Sequence, residues 1–182
     1  MEKERERKPT RLKRFDYSQN RVYFITICTL DKKCILSDIV PPINTEQLSR
    51  DGFMPEVALT EIGKIVEKYI LSINNAEGVS VSKYVIMPNH IHLLLAVKNP
   101  NGNLDITQSV SPSNSAIKRA NDIIPHVVST FKRFCNREIG ENIFQRSYYD
   151  HIIRNIEDYE ETVKYIYYNP RRWYLKYRVQ KR

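Results

Sequence analysis

VSVSKYVIMPNHIHLLLAV, residues 79–97, decides the fold. Two apolar, β-branched segments, 79–87 and 90–97, are separated only by Pro88-Asn89, which leaves room for a tight turn and predicts a strand–turn–strand hairpin. Side chains alternate across a strand. Ile91, Leu93, Leu95 and Val97 therefore make one greasy face. His90 and His92 share the other, two residue rises or ~6.6 Å apart along the backbone. Two neutral imidazoles at that separation can converge on one divalent ion, although an isolated HxH is more often just a polar pair on a sheet face.

Upstream, RVYFITICT (21–29) is β-branched and aromatic and reads as a strand buried on at least one face. A hairpin from Cys34–Val40 to Pro55–Leu59 is expected around the polar stretch 41–54. Thr60 is a good N-cap for an amphipathic helix whose apolar stripe is Ile62, Ile65, Val66, Tyr69, Ile70 and Ile73. Asn74, Asn75 and Gly78 end it. Downstream, the stretch from Lys98 to Ala120 is rich in Asn, Ser, Pro and Gly and reads as a long loop. A second helix is predicted from near Pro125, with Ile124, Val127, Val128, Phe131 and Phe134 or Cys135 as its stripe and Gly140 as its stop. SYYDHIIR (147–154) reads as extended. A last helix opens at Asn155, with Asp158 suggesting a capping box, and Pro170 is expected to end it. The sum is an α+β class: an antiparallel sheet of four or five strands with helices packed on it.

A chain of 182 residues, 41% hydrophobic and 27% charged, suits one domain. No apolar run approaches the roughly 18 residues of a membrane span, and no signal peptide opens the chain, so no membrane partner and a cytoplasmic, nucleoid-associated location are expected. The three cysteines show no CxxC spacing and read as reduced thiols. Net charge is +8, and its placement is uneven: residues 1–14 hold seven Lys/Arg against three Glu, and residues 171–182 hold six basic groups and no acid. The ends thus carry +10 and leave the body at −2. This divides the chain into a basic tail (1–14), a folded domain (15–170) and a second basic tail (171–182). Such tails suit phosphate contacts, or simply solvation.

Tyr165 and Asn169 are four apart on the predicted last helix and so share a face. The apolar stripe of that helix runs through Tyr159, Val163 and Ile166, from which Tyr165 points away at 100° per residue. Tyr167 fits closer to the stripe, and Tyr168 shares the outer face as a rival. With twelve tyrosines in the chain, packing or simple exposure is the ordinary fate of any one of them.

YVIMPNHIHLLL (84–95), FQRSYYDHIIRN (144–155) and YIYYNP (165–170) together resemble the HUH-type single-tyrosine transposases, and most closely the REP-associated tyrosine transposases. DYSQNRVYFITICT (16–29) is similar to that group's opening strand, and the likeness covers roughly residues 11–175. It implies a ferredoxin-like sheet, metal ligation by His90, His92 and Asn169, and Tyr165 as nucleophile. It also implies a Mg²⁺ or Mn²⁺ cofactor, single-stranded or hairpin DNA as substrate, and a monomer or homodimer. Two features depart from the pattern. Phe144 stands where relatives often carry Trp, and segments 38–58 and 98–122 look expanded.

The chemistry fits those groups. A divalent cation withdraws charge from a phosphodiester, and a phenol can replace a strand end as a covalent relay that conserves bond energy. Lys132, Arg133, Arg137, Arg146 and Arg154 are candidates for a strand-binding face, together with Lys118 and Arg119. Tyr148 and Tyr149 are candidates for base stacking there. His126 and His151 read as surface or structural residues. Two rival readings remain: a DNA-binding protein that retains the fold without the reaction, and a metallohydrolase. The second needs a carboxylate base, and none stands at suitable spacing beside the HxH strand.

Overall fold

The computed structural model describes residues 21–41, 53–98 and 123–179. The expected N-terminal tail, most of the 41–54 stretch and the loop from 99 to 120, with Lys118 and Arg119, lie outside the described residues. In order, the elements are β1 (Arg21–Cys28), β2 (Ser37–Val40), β3 (Glu56–Leu59), α1 (Glu61–Ser72), β4 (Val79–Met87), β5 (His90–Val97), α2 (Ile123–Ile139), β6 (Tyr149–Ile152) and α3 (Ile156–Val179). Short 3₁₀ turns follow β1 and α1.

The main sheet has the order β4-β5-β1-β6 with every neighbouring pair antiparallel. Omitting the separate β2–β3 ribbon, the chain reads β-α-β-β-α-β with its first and third strands central. This is the ferredoxin-like arrangement, and the class is α+β as expected. The predicted hairpin is present: β4 and β5 flank Pro88-Asn89, with Met87 opposite His90.

Two cores lie on the two faces of the sheet. Tyr23, Ile25 and Ile27 of β1 join Ile91, Leu93 and Leu95 of β5 against Val66 and Ile70 of α1 and Val128, Phe131 and Cys135 of α2. Cys135, fully buried, rather than the exposed Phe134, completes the α2 stripe. On the opposite face Leu94, Ile153 and Ile166 form a smaller cluster with Val22, Phe24, Val85, Tyr159 and Val163. α3 thus covers the sheet face that carries the histidines.

Local rules set the helix ends. The Thr60 hydroxyl accepts the Gly63 N–H (3.0 Å) and donates to the carbonyls of Ile35 and Leu36, a cap worth about 1 kcal/mol. Asn155 caps α3 by accepting the Asp158 N–H at 2.8 Å. Gly140, at φ 89°, stops α2 in a conformation that favours glycine. Gly63 is demanded by contact instead: a Cβ there would run into the Leu36 carbonyl oxygen. Gly63→Ala must push α1 off the segment before β2, at about 2–3 kcal/mol. The expected result is a thermal midpoint lower by roughly 5–10 °C. An unchanged midpoint in calorimetry would show that this approach is slack.

The expected end of the last helix is corrected. α3 runs through Pro170 and on to Val179. An interior proline loses one backbone hydrogen bond and crowds the preceding turn, at ~3 kcal/mol. Packing offsets this: Pro170 is buried, and the Tyr174 ring meets Phe53 edge-on at 5.6 Å. The Arg171 guanidinium lies 5.4 Å from the same Phe53 ring. Much of the supposed basic tail is therefore helix, with Arg171 and Tyr174 on Phe53. Among the described residues, no helix is long and apolar enough to cross a membrane.

Candidate catalytic and metal-binding site

His90 and His92 project from β5 to one side, their ring centroids 4.7 Å apart. Burial on this covered face removes the solvation that a charged imidazole needs. It holds His90 down at about 4, with the Lys32 charge adding to the effect, and His92 at about 3, with His90 adding. Both are neutral at neutral pH. His90 Nδ1–H donates to the Asn89 side-chain oxygen (2.7 Å), which leaves the Nε2 lone pair free. His92 Nδ1 lies 2.9 Å from the Thr26 hydroxyl on the neighbouring strand. His92 Nε2 is buried without a hydrogen-bond partner. A buried polar atom without a partner is costly, and in the tautomer whose Nδ1–H donates to Thr26 it is a lone pair that calls for an electrophile. Nitrogen lone pairs in this state fit a divalent cation. Among the described residues, no cluster of three His, Cys, Asp or Glu side chains is placed to hold a metal.

α3 lays its own side chains over this pair. The Tyr165 ring meets His92 edge-on at 5.2 Å and Phe24 edge-on at 5.8 Å, and is 37% exposed. It therefore flanks the α3–sheet contact instead of pointing wholly away from it. Trp173, eight residues on, has its ring 5.8 Å from His90. Tyr165, Asn169 and Trp173 are spaced by four and form one stripe. The stripe runs antiparallel to β5, from His92 towards His90, and the buried Asn169 sits between its two ends.

The rival tyrosines separate. Tyr168 packs its ring on Tyr167 at 5.0 Å, and both are exposed. Tyr167, at 59% exposure, is not near the core stripe as expected, because the helix is rolled to press Ile166 and Val163 on the sheet. His151 pairs with Asp158 (2.9 Å), not with its neighbour Asp150. His126 is exposed in the first turn of α2.

Of the nine proposed DNA contacts, five gather. Lys132, Arg133, Arg137, Arg146 and Tyr148 line one open groove of about 790 Å³ between α2 and the segment leading to β6. Arg154 is not among its lining residues; its backbone N–H donates to Asp158. The Lys132 expectation is revised. Its ammonium is pushed down to about 8 by burial and donates to the carbonyls of Gln145 (2.7 Å), Arg146 (3.3 Å) and Ser147 (3.1 Å). These bonds occupy its three donors and make it a clamp on that segment.

Sequence reading missed Arg172, whose guanidinium lies 5.4 Å from the centre of the Tyr165 ring, and Trp173 beside His90. Their spacings of seven and eight from Tyr165 were a usable signal, hidden by treating Pro170 as a stop. Thr26 was hidden as well, because only strand pairing brings it opposite His92.

A Haemophilus influenzae protein, described only as uncharacterized, is 28% identical over 175 residues, spanning 92% of this chain and 89% of that protein. Among solved structures, a REP-associated tyrosine transposase bound to a REP hairpin matches with a TM-score of 0.51 at 21% identity, over 89% of this chain and 73% of that one. A candidate transposase from Deinococcus radiodurans R1 gives a TM-score of 0.36 at 16% identity, over 80% of this chain and 87% of that one. No family model matches the chain. The chain has the fold of the REP-associated transposase.

Proposed function

We propose that the protein is a DNA strand transferase that cuts and rejoins single-stranded or hairpin DNA through Tyr165. One observation carries the reading: the Tyr165 ring stands against His92 (5.2 Å), whose buried Nε2 has no partner. A phenol, an electron-pair donor in need of a cation and a second imidazole thus meet on one face. The hairpin-bound transposase of the same fold points to the same substrate class.

His90 and His92, with the Asn169 amide oxygen as third ligand, would hold a Mg²⁺ or Mn²⁺ ion. When bound, that ion supplies Lewis-acid polarisation of a phosphodiester and a template for its alignment. The remaining work falls to the chain's own groups. Thr26 and Asn89 fix the two imidazole orientations through their Nδ1 atoms, as outer partners of ligating histidines do. α3 delivers the Tyr165 oxygen to the phosphorus. The phenol gives up its proton to solvent as its oxygen bonds to phosphorus, the bond from phosphorus to the 3′-oxygen breaks, and the leaving oxygen takes a proton from solvent to become a 3′-hydroxyl. A later 3′-hydroxyl reverses the step and joins a new end. Arg172 brings permanent positive charge beside Tyr165, where negative charge develops.

Incubation of the full chain with a 3′-labelled hairpin oligonucleotide library and Mn²⁺ tests the reading. A denaturant-resistant protein–DNA adduct is expected. Strand binding without an adduct would favour a binding protein, and hydrolysed strands without an adduct would favour a water-using nuclease.

The groove gives an independent expectation. Replacing Arg133 and Arg137 together by alanine should weaken binding of every single strand by a similar factor and flatten the salt slope by about 0.7 per lost phosphate contact. Lys132→Ala should act on thermal stability and leave that slope unchanged. The reverse pattern would reassign the phosphate contact to Lys132.

A further inference from the structure

Beyond Asn169, the stripe of α3 ends in an aromatic step. Trp173 is the only tryptophan in the chain, and its ring centre lies 4.4 Å from that of Tyr177 at an interplanar angle of 34°. Tyr177 is 39% exposed and Trp173 is only partly buried. The helix rises ~12 Å from Tyr165 to Trp173, whereas His92 to His90 spans ~6.6 Å, so by Tyr177 the stripe has run past the start of β5. The pair therefore continues the stripe beyond His90, which Trp173 touches. Its surroundings are basic: Lys176 Nζ is 5.8 Å from the Tyr177 ring, and the exposed Arg172 stands beside Tyr165. No acidic residue follows Glu161 in α3.

We propose that Trp173 and Tyr177 form a stacking ledge for an unpaired nucleobase of the single strand whose phosphate is presented to Tyr165, with Lys176 serving the backbone of that nucleotide. The placement rests on the strand-transfer reading. A partly exposed aromatic ring with cations on its flank suits a flat π-system attached to a polyanion. The bases of an intact duplex are stacked on one another and offer no free face, so the ledge selects single strand or the unpaired end of a hairpin. The ring contact with His90 couples base stacking to the position of the histidine pair.

Intrinsic fluorescence excited at 295 nm reports on Trp173 alone. The full-length protein is titrated in EDTA, which holds back any metal-dependent chemistry, with single-stranded oligothymidylate, an abasic phosphodiester strand of equal length, and a blunt duplex. Only the oligothymidylate should change the emission strongly, while the abasic strand binds through charge and leaves Trp173 bright. Read by the anisotropy of a dye-labelled oligothymidylate, Tyr177→Ala and Trp173→Ala should each weaken binding by roughly 5- to 100-fold. Neither should alter affinity for the abasic strand, and Trp173→Phe should retain most of the binding. Tyr177→Ala alters an exposed side chain and tests the ledge even if Trp173→Ala misfolds. Equal quenching by the abasic strand, or wild-type affinity in Tyr177→Ala, overturns the proposal. Base-dependent quenching in a protein that forms no adduct sinks the strand-transfer reading and keeps the ledge. Adduct formation with Trp173 blind to bases does the opposite.

Discussion

Tyr165→Phe is expected to abolish the covalent adduct while leaving the protein folded and able to bind single strands. The change removes one oxygen and little volume, and the edge contacts of the ring with His92 and Phe24 survive it. Tyr165 is the phenol of α3 whose ring meets His92. Tyr168 packs on Tyr167, and Tyr167 is mostly solvent-exposed, so Tyr168→Phe should leave the adduct yield near wild type. Loss of a nucleophile is not graded, because positioning supplies the rate only to the group that is positioned. An adduct that persists in the Tyr165 variant and vanishes in the Tyr168 variant would show that α3 rolls before reaction. Gel mobility after denaturation reads the outcome directly.

His92→Ala is expected to have the second largest effect, on Mn²⁺ affinity. It removes the most enclosed donor of the pair. The loss should exceed the roughly 10- to 100-fold typical of a residue that merely orients a ligand. Thr26→Val, which removes only the orienting hydroxyl, should fall within that range. Calorimetric titration separates the two, and equal affinities in wild type and His92→Ala would end the metal assignment. The pH dependence is a sharper signature. Protons compete with a metal for the same lone pairs. With His90 held at about 4 and His92 at about 3, affinity should stay flat from pH 8 to about 5, where an exposed pair would already be losing it. The stability of the metal-free protein follows the same sign. The folded values lie below the unfolded value near 6.5, so the unfolded chain binds more protons as pH falls. Stability should be full above about pH 6.5 and decline progressively towards pH 3.

Much of the site was legible because it obeys short-range periodicities. The alternation in HIHLLLAV put both imidazoles on one face, and the four-residue step from Tyr165 to Asn169 put both on one helical stripe. The β4–β5 hairpin, the Thr60 cap and the Gly140 stop were legible for the same reason: each is settled by a few neighbouring residues. Pro170 shows where that reasoning fails. Local rules weigh a lost hydrogen bond and a crowded turn. Whether a helix survives them depends on what its far side buries, here Phe53 under Arg171 and Tyr174. Lys132 fails in the same way, since a lysine off the apolar stripe reads as a solvent-facing charge until a later segment folds its carbonyls onto it.

By itself the sequence determined the α+β class, the strand that carries the histidines, the face they occupy and the helix that carries the tyrosine. These follow from backbone stereochemistry and from the periods of strand and helix, which act over a few residues. Tertiary structure alone decided which face of the sheet α3 covers and the roll that brings Tyr165 and not Tyr168 to His92. It also decided the pairing of Thr26 with His92 Nδ1, and the burial that keeps both imidazoles neutral. Each of these depends on groups far apart in the chain, 66 residues for Thr26 and His92. Burial is a property of everything packed around a group, so no local pattern encodes it.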